Sequence, residues 1–293
     1  MPESTELATG PAAAWQQPPS GQQHVLVAGR HRAVVVEVGG GVRSYTPGRA
    51  AGPRRLRRAG DGHGGAGAAT AAMAEQGSGR SLLLDGVEHQ LALTEPATNN
   101  AIHGLARWTN WTATHKTSAS VTMQQTLRPQ PGYPFALELT ITYSRGSEGL
   151  TVTTRARNVG SGSAPYAGGQ HPYLATPRQV ADCHLHLRAG SYLPTDERGL
   201  PVGRLPTAGG PFDFRRPRPI GQVALDNAYT DVERDSQDRS WVELTTPGGD
   251  VTRLWVDSAY PYIQLFTATP SPSRNGVEDR SRRTHDGTAQ RPA

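Results

Sequence analysis

A single cysteine, Cys183, is all the thiol chemistry in this chain, so no internal disulfide can form and redox chemistry is not expected. Its neighbours Ala181 and Leu185 point to a thiol on a half-buried strand rather than to a nucleophile. Long apolar runs are missing as well. None approaches the length needed to cross a bilayer, and residues 1–22 lack the basic-then-apolar pattern of a secretory leader. The expectation is a cytoplasmic protein with no membrane partner. Nor does any stretch carry the sustained 3.6-residue periodicity of a long amphipathic helix, which excludes helix bundles and doubly wound α/β folds.

What the chain does have is turns and alternation. Thirty-four Gly and 24 Pro break it into short segments, and all-β sandwiches often reach roughly 250 residues as one unit. The pattern therefore predicts one domain, all-β, built as a large antiparallel β-sandwich. Residues 1–22, rich in Pro, Gly, Gln and Ser, read as a disordered tail. The sandwich begins with a strand pair over Val25 to Val38, closed by Gly39-Gly40-Gly41. Phe135 to Tyr143 and Leu150 to Asn158 alternate apolar and polar residues across the turn Ser144 to Gly149, which predicts a hairpin with its polar face to solvent. Shorter strands are predicted at His184 to Leu187, Ser240 to Thr245, Val251 to Val256 and Tyr262 to Phe266.

The formal net charge of +5 is unevenly placed. Residues 47–84 hold six Arg against Asp61 and Glu75, and residues 268–293 hold five Arg against Glu278, Asp279 and Asp286. These stretches account for the whole excess. They carry no interleaved aromatics, so a nucleic-acid partner is not expected. Residues 47–81 also lose periodicity, with Arg54, Arg55, Arg57 and Arg58 followed by a Gly/Ala-rich run, and read as low complexity. Pattern returns at Leu82 and runs through Val87, Leu91 and Leu93 to a polar loop, Glu95 to Asn100.

Two histidines sit in loops or at strand ends beside glycines, where a ligand can come close: Asn99-Asn100-Ala101-Ile102-His103-Gly104 and Gly168-Gly169-Gln170-His171-Pro172-Tyr173. Each has a plain alternative as a hydrogen-bonded structural residue. His184 and His186 share a strand face that could hold a metal, but no third ligand is near in sequence, and a partly exposed face explains them as well. Asp226, in Leu225-Asp226-Asn227-Ala228-Tyr229, suits either a sugar hydroxyl or a backbone cap. Trp108 and Trp111 could stack on a sugar; core filling is the expectation for both.

In order along the chain, Asn100-Ala-Ile-His103-Gly resembles the His-Gly motif of the aldose 1-epimerase (galactose-mutarotase-like) family, and Gly169-Gln-His171-Pro-Tyr-Leu174 resembles its second histidine motif. Tyr192-Leu-Pro-Thr-Asp196, Gly199-Leu-Pro-Val-Gly203, Pro211-Phe-Asp-Phe-Arg215, Leu225-Asp226-Asn-Ala-Tyr229 and Tyr260-Pro-Tyr-Ile-Gln264-Leu-Phe-Thr267 follow in the family's order. The resemblance covers residues 23–46 and 82–267. It implies interconversion of the α and β anomers of an aldose by acid/base ring opening, with a sugar as the partner and without metal or organic cofactor. By position in the motifs it implies His171 as the acid, His103 as its partner on the ring oxygen, and Asp226 and Asn100 as substrate-binding residues. A histidine suits the role because its ordinary pKa of about 6.5 lets it give and recover a proton near neutral pH.

Two family motifs have no match: an Arg in a Pro-Trp-Pro-Asn-Arg-like segment before the His-Gly loop, and a catalytic Glu in a Glu-Pro-Met-Thr-like segment near the C-terminus. They belong where the two Arg-rich stretches lie. Ala72 to Gly77 can be written GCC ATG GCC GAA CAG GG, which one base later reads Pro-Trp-Pro-Asn-Arg. Arg283 to Arg291 can be written CGA ACC CAT GAC GGC ACC GCC CAA CGC, which one base later reads Glu-Pro-Met-Thr-Ala-Pro-Pro-Asn. The coincidence points to a shifted reading frame over both segments, which resequencing of the gene tests. The chain as written then lacks the matched base, which leaves an impaired epimerase or a carbohydrate-binding protein as the alternative function. The first segment also leaves a sheet edge exposed.

Overall fold

The computed structural model describes residues 18–29, 31–46, 70–71, 81–84, 86–176 and 179–267. The expected tail over most of residues 1–22, most of residues 47–81 and residues 268–293 lie outside them. Within the described residues the chain is built of antiparallel strands, and its one helical element is a 3-10 turn at Val180–Asp182.

The first half runs through β1 (Gln23–Ala28), β2 (His31–Val36) and β3 (Val42–Thr46), which form a three-stranded meander. The short β4 (Thr70–Ala71) comes next, then the hairpin of β5 (Ser81–Leu84) and β6 (Val87–Gln90). A four-stranded meander follows: β7 (Thr112–Lys116), β8 (Ser120–Leu127), β9 (Leu137–Arg145) and β10 (Leu150–Asn158). The predicted hairpin is present as β9 and β10, paired from Leu150↔Arg145 to Asn158↔Leu137. Its alternation does what alternation requires. Leu137, Leu139, Ile141 and Tyr143 are buried while Glu138, Thr140, Thr142 and Ser144 face outward.

The second half begins at β11 (Gly168–Gly169), which pairs with β4. Two further four-stranded sheets use β12 (His184–Leu187), β13 (Ala189–Leu193), β14 (Leu205–Pro206), β15 (Arg218–Pro219), β16 (Asp226–Val232), β17 (Ser240–Thr245), β18 (Val251–Val256) and β19 (Ile263–Phe266). Their orders are β15-β12-β17-β18 and β14-β13-β16-β19.

Sheets packed face to face enclose two apolar cores. In the first, Leu26, Ala33, Val35 and Val42 of the β1–β3 sheet meet Val121, Met123, Leu139, Ile141 and Tyr143 of the β7–β10 sheet. In the second, Leu185, Leu187, Val242 and Leu244 meet Ala189, Tyr229 and Ile263. This is the sandwich expected from alternation, with inward rows from both sheets forming the core.

Two expectations change. Cys183 lies just before the half-buried strand β12 rather than on it, fully buried in the second core, its thiol 3.7 Å from the Gln179 carbonyl and 3.4 Å from Thr176 Oγ1. Of Trp108 and Trp111, only Trp111 fills the core; its ring nitrogen donates to the Ala106 carbonyl at 3.3 Å, while Trp108 is 56% exposed. Of residues 47–80, read as low complexity, only Thr70–Ala71 is described; it pairs with Gly168–Gly169 through the backbone.

Candidate active site

The two singled-out histidines are delivered by different halves of the chain and meet. His171 follows β11, where the paired backbone fixes Gly168–Gly169, and Gln170 Nε2 donates to Thr154 Oγ1 on β10 at 3.3 Å. His103 lies in the long connection from β6 to β7. There its backbone takes a left-handed conformation (φ 60°), uncommon for a residue with a side chain and often found where function holds a residue in place. Just before it, Ile102 N–H donates to Thr94 Oγ1 at 2.8 Å and pins the loop.

The rings of His103 and His171 lie edge to face, with centroids 5.5 Å apart and planes at 69°. On its other side His171 stacks on Tyr173, centroids 4.8 Å apart. Burial lowers the pKa of both imidazoles. For His103 the charges of Arg107 and His171 add to burial and bring it down to about 4, against a smaller raising effect of Glu95. For His171 burial is again the largest cause, while a hydrogen bond with its own main chain and the charge of Asp226 act in the raising direction. At neutral pH His103 is therefore uncharged, with one N–H donor and one acceptor nitrogen, whereas at His171 the Asp226 charge works against the lowering by burial.

Asp226 opens β16 and faces outward. Its Oδ1 accepts from Gln264 Nε2 of the adjacent β19 at 2.9 Å, and its charge reaches His171. His103, His171 and Asp226 thus form one cluster. Asn100 stands apart from it in role. It is 5% exposed; its amide nitrogen donates to Thr98 Oγ1 and the Arg198 carbonyl, and its amide oxygen accepts from Arg198 Nη2. That amide is occupied within the protein.

Four side chains join the cluster without having been singled out in the sequence: Arg107, Tyr173, Glu95 and Gln264. Arg107 is half-buried, and its charge reaches His103, His171, Tyr173 and Glu95. Its guanidinium lies 4.6 Å over the exposed Trp108 ring. Arg107 follows His103 by four residues in an irregular loop, where no periodicity flags it; Tyr173 and Gln264 lie inside quoted motifs.

The other histidine pair does different work. His184 is exposed, and His186 Nδ1 lies 3.3 Å from Glu243 Oε2, whose carboxylate also accepts from Arg253 Nε at 2.7 Å. Among the described residues, no group of three or more His, Cys, Asp or Glu is arranged to hold a metal.

A histidine pair beside a carboxylate and a guanidinium, at a loop-lined site on a β-sandwich, suits proton transfer on a polyhydroxylated ligand. Comparison with known proteins agrees in kind. The sequence profile described as Aldose 1-epimerase matches residues 22–290, across both Arg-rich stretches. The uncharacterized protein YihR of Escherichia coli strain K12 is 33% identical over 146 residues, covering 49% of this chain and 47% of its own length. The galactose mutarotase of Sus scrofa is 25% identical over 197 residues, covering 63% of this chain and 56% of its own length. The chain spans about half the length of these curated relatives. Its fold is similar to that of the GalM/aldose epimerase homologue from C. elegans, with a TM-score of 0.68 at 16% identity over 84% of this chain and 82% of that one. With a family match across nearly its whole length, this chain belongs to the aldose 1-epimerase family.

Proposed function

We propose that this protein interconverts the α and β anomers of an aldose such as glucose or galactose by acid/base ring opening. The observation that carries the reading is the His103–His171 pair, 5.5 Å apart in a half-buried site with Asp226 beside it. The anomeric hydroxyl loses its proton to a base as the bond between C1 and the ring oxygen breaks. The electron pair moves to the ring oxygen, which takes a proton from His171. Rotation about C1–C2 presents the other face of the aldehyde, and the reverse transfers close the ring as the other anomer.

The two imidazoles divide the work by their surroundings. His103, held down to about 4, stays neutral and donates an N–H to the ring oxygen. His171 has the Asp226 charge to favour its protonated form and is the acid. Asp226, already fixed by Gln264, takes a sugar hydroxyl, and Arg107 takes another.

The base is the role least well supplied. Glu95 and Asp226 are the described carboxylates whose charge reaches the histidines, and each already accepts a hydrogen bond, from Thr98 Oγ1 at 2.5 Å and from Gln264. A missing positioned base lowers the rate by about 100- to 10,000-fold. That same observation supports the second reading, a carbohydrate-binding protein that does not catalyse. In either case the reading has one sandwich over residues 23–267, flanking segments at both ends and a cytoplasmic location. Among the described residues, no helix is long and apolar enough to cross a membrane.

Polarimetry of freshly dissolved α-glucose and α-galactose, with the wild-type chain beside His171→Ala, tests the proposal. Faster equilibration by the wild type alone supports epimerisation. Sugar binding by calorimetry with no gain over the spontaneous rate supports the binder instead.

A further inference from the structure

The loop that presents His103 is bent on itself and needs holding. Asn99 (φ 58°) and His103 (φ 60°) are both left-handed. Residues 95 and 100 close a small ring: Glu95 N–H donates to the Asn100 carbonyl at 2.9 Å, and Asn100 N–H donates back at 3.1 Å. Within that ring the carbonyls of Thr98 and Asn99 receive hydrogen bonds from a residue about a hundred positions away. Arg198 Nε donates to the Thr98 carbonyl at 3.0 Å, and Arg198 Nη2 donates to the Asn99 carbonyl at 2.8 Å and to Asn100 Oδ1 at 3.0 Å. Asn100 Nδ2 returns a bond to the Arg198 carbonyl at 2.7 Å.

Arg198 is itself prepared for this. It sits at the tip of the connection between β13 and β14, where Asp196 Oδ1 accepts from the backbone N–H groups of Arg198 and Leu200, both at 2.9 Å. Asp196 N–H closes the turn onto the Leu200 carbonyl at 2.9 Å. The guanidinium is a rigid planar fork, so three acceptors held at once define a position that a lysine's single ammonium cannot reproduce. The two ends of the clamp belong to different cores. Ala101 and Leu105 of the His103 loop pack on the first, and Tyr192 of β13 packs on the second.

We infer that Arg198 is a positioning residue: by clamping residues 98–100 from the second half of the sandwich, it holds the His103 imidazole against His171. The inference rests on the reading of His103 as a site residue. It also explains the buried Asn100 amide, which serves the clamp.

Proton NMR titration of His103, with activity measured alongside, tests it in Arg198→Ala, Arg198→Lys and the control Glu197→Ala, an exposed neighbour on the same turn. In the wild type, burial and the charges of Arg107 and His171 should hold the His103 titration down to about 4. Arg198→Ala should raise that by at least about one pH unit towards the free-imidazole value of about 6.5, as the ring loses burial and its His171 neighbour. It should also lower kcat by about 100-fold with little change in KM, the cost of a roughly 1 Å misplacement. Arg198→Lys should restore little, and Glu197→Ala should change neither quantity. A folded Arg198→Ala protein whose His103 titrates as in the wild type overturns the inference. Should Arg198→Ala not fold, Arg198→Lys and Asn100→Ala carry the same titration readout. Should the wild type prove inactive, the epimerase reading fails while the titration still decides the positioning role.

Discussion

Acidification should destabilise this protein through His103, and the effect can be sized. Its folded pKa is about 4 against 6.5 for the free group, with burial the largest cause, then the Arg107 charge, then His171. The folded value lies below the unfolded one, so between the two the unfolded chain binds more protons and stability falls as pH drops. The contribution is complete above pH 6.5 and is lost progressively down to about pH 4. Between pH 7 and pH 5 the linkage relation gives about 1.8 kcal/mol for the full shift. The remaining solvent access of the ring reduces this to roughly 1 kcal/mol. Urea unfolding of the wild type and of His103→Asn at both pH values isolates it, because the carboxylates titrate in both proteins and cancel in the difference. The wild type should lose roughly 1 kcal/mol more than the variant over that interval. Equal losses in the two proteins, or a His103 ring titrating near 6.5 in the folded chain, would refute the buried arrangement of the pair.

Two further outcomes follow from named contacts. A Cβ added at Gly132 (φ 77°) would lie 2.0 Å from the Gln90 carbonyl oxygen and 2.5 Å from its carbonyl carbon, backbone atoms that cannot turn aside. Gly132→Ala should therefore cost about 3 kcal/mol or more, read as a lowered denaturation midpoint; a loss under about 1 kcal/mol would contradict this packing. Arg107→Gln removes the second-largest cause of the low His103 pKa and a proposed hydroxyl ligand. It should raise the His103 titration and increase KM by about tenfold, as expected for one charge-assisted hydrogen bond. An unmoved His103 titration would place the guanidinium elsewhere.

The strands were legible where one face is buried and the other wet. Leu137, Leu139, Ile141 and Tyr143 alternate with Glu, Thr and Ser, and burial follows that alternation residue by residue. The strands β7 and β8 were not read from the sequence. After Val121 and Met123 the inward row of β8 continues with Gln125, which erases the period-two signal although the backbone pairing with β9 runs on to Leu127. The tryptophans show the limit of composition. Trp111 and Trp108 have similar neighbours in sequence, and only the path of the loop sends one into the core and leaves the other exposed under Arg107.

For the site, the local sequence determined which histidines stand beside glycines in loops, and the motif order determined the family. Whether those histidines meet was a matter of distance in space: His103 and His171 are separated by β7 to β11, and the fold brings their rings to 5.5 Å. The same holds for the partners each group uses. Asn100 carries the right chemistry for a sugar, but the chain returns after about a hundred residues with Arg198 and occupies its amide. Arg107 carries no local signal, yet the fold sets its charge beside both imidazoles. Residue type and alternation are local properties and can be read along the chain; pKa, hydrogen-bond commitment and ring-to-ring geometry depend on which distant segments become neighbours, and only the tertiary structure decides that.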